Sequence, residues 1–115
     1  MHDSGYFLAH QLINEMAMAQ DRVFLLTYYR YWLNPDLLLT VNSQQELSDV
    51  METPKKLWSI IRDGGYNYIL HDSSVLSVID KAAFNNPPAG IKVTKIGEWF
   101  SIAVYKLEYS ALSDY

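Results

Sequence analysis

The chain has no cysteine at all. Disulfides, thiolate metal sites and cysteine catalysis are therefore excluded, while the redox compartment stays open. Basic charge is scarce: nine Lys and Arg stand against 13 Asp and Glu, a formal net charge of −4. Nucleic acid is thus excluded as a partner, because phosphate binding needs a basic face. No run of five like charges marks a charged tail. The apolar runs fall well short of the ~18 residues of a membrane-spanning helix. Met1-His2-Asp3-Ser4-Gly5 lacks the basic-then-apolar order of a signal peptide, so a role outside the cytosol would need export by something beyond this chain.

Hydrophobic residues are plentiful. They make up 50% of the 115 positions, with 14% aromatic, so the chain can form a core and is not a disordered tract. The length suits a single domain over residues 1–115.

Phe7, Leu8, Leu12, Ile13 and Met16 recur at helical spacing and predict a helix over Tyr6 to Ala19, capped by Ser4. His10 on it reads as a surface or boundary residue. Val23 to Thr27 is an apolar strand and Leu37 to Val41 a second, with helical turns over Tyr28 to Leu33 between them. Ser43 with Glu46 three residues on is a capping-box signature for the next helix. Thr53-Pro54 restarts that helix, and Gly64-Gly65 ends it. Tyr66 to Leu70 is the third strand. Asp72-Ser73-Ser74 then reads as the cap of a helix from Ser74 to Phe84. Ile91 to Ile96 and Phe100 to Glu108 form a hairpin about a turn at Gly97-Glu98.

The order α-β-α-β-α-β-α-β-β predicts an α/β fold in three layers. Its sheet is expected to be mostly parallel and Rossmann-like, with about five strands and a C-terminal antiparallel β-hairpin. The loop after the first strand, Thr27-Tyr28-Tyr29-Arg30-Tyr31-Trp32, contains no glycine, so backbone amides cannot approach a phosphate as in dinucleotide or P-loop sites. No G-x-S-x-G elbow occurs, and His2, His10 and His71 show no metal-ligand spacing. No cofactor is expected.

Two groups remain as binding candidates. Tyr28, Tyr29, Arg30, Tyr31 and Trp32 combine the residue types enriched at recognition surfaces, although the same aromatics could pack the core. His71 and Asp72 sit at the carboxyl end of a strand, where open α/β sheets bind ligands.

Several segments together carry a resemblance. They are Arg22-Val23-Phe24-Leu25-Leu26, the Tyr-Tyr-Arg-Tyr-Trp-Leu stretch from Tyr28, Gly64-Gly65 before Tyr66-Asn67-Tyr68-Ile69-Leu70, and the closing Gly97 to Leu107. From about residue 5 to 108 the chain is similar to the soluble C-terminal domain of polytopic GT-C membrane glycosyltransferases. The relatives in view are the protein-mannosyltransferase-like and aminoarabinose-transferase-like enzymes. The resemblance implies a fragment of an integral membrane protein, lying on the extracytoplasmic face beside its own transmembrane part. The parent enzyme would use polyprenyl-phosphate sugars, and this domain would be an accessory part that recognises a glycan or protein acceptor. The catalytic acid of that family lies in the membrane part, so no catalytic residue is carried over. A stand-alone α/β binding or interaction module is the rival expectation, and a small enzyme using His71 or Asp72 is the third.

Overall fold

A computed structural model describes residues 2–18, 21–27, 41–74, 79 and 81–110. The amino-terminal periodicity produces helix α1, His2–Met16. Strand β1, Val23–Leu26, follows and is buried throughout. The capping box forms: the Ser43 hydroxyl accepts from the Glu46 amide, and the Glu46 carboxylate accepts from the Ser43 amide, opening helix α2, Gln44–Glu52. The Thr53 side chain does not cap the next segment. Pro54–Lys56 is instead a 3-10 turn, and helix α3, Leu57–Gly64, follows it. Gly65 ends α3 at φ +66, a left-handed conformation that costs glycine nothing.

Strand β2 is Tyr68–Asp72, two residues later than the expected Tyr66 to Leu70. The side chains of Tyr66 and Asn67 are spent on contacts at its entrance. Of the expected Ser74 to Phe84 helix, Lys81–Phe84 is a 3-10 turn, Ser74 lies in a turn, and residues 75–78 and 80 lie outside the described residues. Strands β3, Ile91–Trp99, and β4, Ile102–Tyr109, form the hairpin.

The sheet corrects the expected architecture. It has four strands in the order β1-β2-β4-β3, with β1 and β2 parallel and the other two pairings antiparallel. The fold is a small α/β domain on a mixed sheet, and not a mostly parallel five-stranded Rossmann-like one. The expectation failed because β4 enters beside β2, where a further parallel strand would otherwise lie, with Leu70 opposite Val104. Of the expected Leu37 to Val41 strand, Val41 forms a lone parallel bridge to Val23, and the rest lies outside the described residues. One position on, the Asn42 side chain takes the place of a strand: its Oδ1 accepts from the Leu25 amide at 2.6 Å and its Nδ2 donates to the Leu25 carbonyl at 3.3 Å.

The hairpin turn is also displaced. Trp99 pairs with Ile102, so the turn is Phe100-Ser101, and Gly97 and Glu98 lie within β3. The register slips between Lys95 and Gly97, leaving Ile96 as a bulge. Ile91 and Val93 accordingly face one core and Ile96 the other.

The two faces have separate cores. Helices α2 and α3 cover Phe24, Leu26, Ile69, Ala103 and Tyr105, while α1 places Ala9 and Ile13 against Val23, Leu25, Leu70 and Val104. His10 is fully buried rather than at the surface.

At the amino ends of β1 and β2 these layers meet in one polar cluster. The Arg22 guanidinium lies 4.2 Å from the Tyr66 ring centroid, donating to the Gly64 carbonyl at 2.6 Å and to the Tyr66 hydroxyl at 2.9 Å. The Tyr66 hydroxyl donates to the Glu46 carboxylate, with its oxygens at 2.8 and 2.9 Å. Burial and the adjacent Glu46 push the Tyr66 hydroxyl above its ordinary value of 10.0. Burial of Glu46 opposes its ionisation, but the Ser43 amide and Tyr66 hydroxyl outweigh that and hold its carboxyl below 4.5.

The sign of the pH dependence follows. Glu46 is held below its unfolded value, so its contribution is present above that value and fades as pH falls through the carboxylate range. Tyr66 is raised, so folding resists its ionisation, and stability falls as pH rises past about 10. Urea denaturation across pH should show both limbs. Tyr66→Phe should cost about 1–2 kcal/mol at neutral pH and flatten the alkaline limb, whereas an unchanged alkaline limb would contradict the assignment.

Candidate functional site

The carboxyl end of β2 is where an open sheet would present a ligand site, and it gathers Ser73, Ser74 and Ser101 beside one carboxylate. Asp72 closes β2 and is 2% exposed. Its Oδ1 accepts from the Ser74 amide at 3.0 Å, the Ser74 hydroxyl at 2.7 Å and the Ser101 hydroxyl at 2.8 Å. The first of these is an Asx turn, which reverses the chain directly after the strand. Ser73 adds a second tie, donating from its amide at 2.9 Å and its hydroxyl at 3.2 Å to the Ser101 carbonyl. Asp72 therefore fastens the exit of β2 to the β3–β4 turn. It is the last residue of the strand, and residues 75–78, where the expected helix would run, lie outside the described residues.

His71 does not join this group. Neighbouring residues on a strand point to opposite faces. Asp72 pairs with Ile102 on the α1 face, and His71 pairs with Ala103 on the other. The His71 ring is buried 5.2 Å from Phe84, which stacks on Tyr105 at 4.5 Å and meets Trp58 edge-on at 5.9 Å. Adjacent in sequence, His71 and Asp72 are separated by the sheet itself and form no acid–base pair. The other sequence candidates, Tyr28, Tyr29, Arg30, Tyr31 and Trp32, lie outside the described residues.

Sequence reasoning missed Phe100. It occupies the first central position of the two-residue turn at φ +57, and is the only non-glycine with a left-handed backbone among the described residues. Its ring is 81% exposed. Hairpins of this type favour glycine at that position. Both the strain and the exposure are unfavourable, and such outliers concentrate at functional sites. An aromatic in a strand-like run gave no signal of a turn.

Among the described residues, no group of His, Asp and Glu could hold a metal ion, and no helix is long and apolar enough to cross a membrane. A shallow, open depression at the far end of the hairpin is lined by Gly90, Ile91, Lys92, Glu108, Tyr109 and Ser110. Its ion pair, Lys92 with Glu108 at 4.0 Å, is well exposed and contributes little.

Asp72, which is buried, accepts hydrogen bonds from the Ser74 amide and from the Ser74 and Ser101 hydroxyls. Asp72→Ala should therefore cost about 1–3 kcal/mol in urea denaturation, because it strands those donors. Ser101→Ala should cost less, about 1 kcal/mol, by removing one of three. Equal, negligible losses would show that the cluster does not fasten the turn.

Comparison of the chain with protein-family models, with curated proteins and with solved structures returned no match.

Proposed function

We propose that this domain is a non-catalytic recognition module on the extracytoplasmic side of a membrane glycosyltransferase that draws on polyprenyl-phosphate sugars. The residue pattern from Arg22 through the closing Gly97 to Leu107 supports the family reading. The observation that supports recognition is Phe100, an aromatic ring held out at the tip of the β3–β4 turn in a conformation that its residue type disfavours. The polar groups beside it bind one another. The Ser74 and Ser101 hydroxyls both donate to the same carboxylate oxygen, and His71 faces the opposite core. This is the arrangement of a firm platform rather than of a base poised to activate a nucleophile.

The coding sequence upstream of Met1 provides the test. It should continue in frame into several apolar segments of about 20 residues each. An in-frame stop codon immediately before Met1 would overturn the membrane-enzyme assignment. The same Phe100 platform would then belong to a stand-alone binding module.

A further inference from the structure

We infer that the turn carrying Phe100, together with Ser74 and Ser101, takes a neutral saccharide. This deepens the recognition role proposed above and rests on it. Each serine hydroxyl has one proton. Both protons point to Asp72 Oδ1, at 2.7 Å from Ser74 and 2.8 Å from Ser101. The Ser101 hydroxyl also reaches the Ser74 oxygen at 3.3 Å, so Ser74 has one lone pair and Ser101 two to offer a ligand. Hydrogen bonding to an ionised group makes them stronger acceptors. Ser74 is exposed and Ser101 partly so.

Two fixed acceptors at this spacing suit the donor hydroxyls on neighbouring carbons of one sugar ring. Phe100 adjoins Ser101 and offers an exposed apolar face for the ring's C–H side. A phosphomonoester dianion has no proton to donate, and the inorganic dianion has one for two acceptors, so either anion is poorly matched to lone pairs. A purely apolar ligand would leave both acceptors desolvated and unmatched. A polyol with one apolar face satisfies both parts. The Asp72 ties to Ser74 and Ser101 hold the acceptors in place before binding, which lowers the ordering cost.

The test is an NMR titration of the isotopically labelled 115-residue chain with methyl glycosides of mannose, glucose and galactose, with lysine methyl ester and inorganic phosphate run as separate arms. At least one glycoside should produce saturable shifts at the Ser74, Phe100 and Ser101 amides, with a dissociation constant on the order of millimolar for so shallow a site. Phe100→Ala should weaken binding by roughly fivefold, the effect of losing one ring contact.

Phe100→Gly separates function from folding. It relieves the left-handed backbone and should raise the urea midpoint while weakening binding in the same way as Phe100→Ala. Binding undiminished by either substitution, tighter binding of lysine methyl ester or phosphate at these amides, or no saturable shift with any glycoside would overturn the inference. The upstream coding sequence does not bear on these outcomes. Saccharide binding with an in-frame stop would retain this site and remove only the membrane enzyme. Apolar upstream segments without saccharide binding would do the reverse.

Discussion

Tyr66 is the side chain on which the layers converge. Its hydroxyl accepts a hydrogen bond from Arg22 and donates one to Glu46, its ring packs edge-on against Phe24 at 4.9 Å, and its carbonyl accepts from the Tyr109 hydroxyl. Through these contacts one residue joins the start of β1, the first turn of α2, and the end of β4. The Gly64 carbonyl, at the end of α3, is held by the same guanidinium, and a Cβ at Gly64 would run into the Tyr66 ring. Asn67 completes the arrangement: its Oδ1 accepts from the Arg22 amide at 2.8 Å, and its own amide donates to the Arg22 carbonyl at 2.8 Å. The single parallel strand pair is thus clamped at its entrance by side chains.

That clamp gives the domain two unlike ends. The amino end of β1 and β2 is closed by charged and aromatic groups bonded to one another. The carboxyl end of β2 is closed by Asp72 and the β3–β4 turn, which leaves a ring and two hydroxyl oxygens directed outward. Both faces of the sheet are covered by helices, so a ligand has the ends and edges of the sheet to approach. At one edge the Asn42 amide occupies the Leu25 backbone groups that another strand would use. At the other, Lys92, Lys95 and the Ile96 bulge guard β3 against pairing with a second chain. The carboxyl end of β2 is where the proposed recognition site lies.

Local signals were legible where the physics is local. Ser43 and Glu46 announced their reciprocal bonds, and Gly65 announced a left-handed helix end, because each depends on residues within a turn of one another. The apolar run of β1 was equally plain. Pairing was not. Nothing in the composition of β4 says that it lies antiparallel beside β2, more than 30 positions away, so the parallel architecture drawn from element order was wrong. The step from Val93 to Ile96 broke the two-residue period, which is the mark of a bulge. The expected hairpin instead runs Ile91 to Ile96 as strict alternation into a turn at Gly97-Glu98. The real turn was hidden because Phe100 contradicts the usual residue preference. Of the candidate site, Asp72 was found from its place after a strand, whereas Ser101 reaches it only through the hairpin register.

The clamp requires that Arg22 and Glu46 act together through the Tyr66 hydroxyl. The direct measurement is a double-mutant cycle, Arg22→Met with Glu46→Gln, followed by urea denaturation in both the natural and the Tyr66→Phe background. With Tyr66 present the two substitutions should couple by roughly 0.5–3 kcal/mol, and in the Tyr66→Phe background most of that coupling should vanish. Additive effects with Tyr66 intact, or coupling that persists without its hydroxyl, would contradict the account.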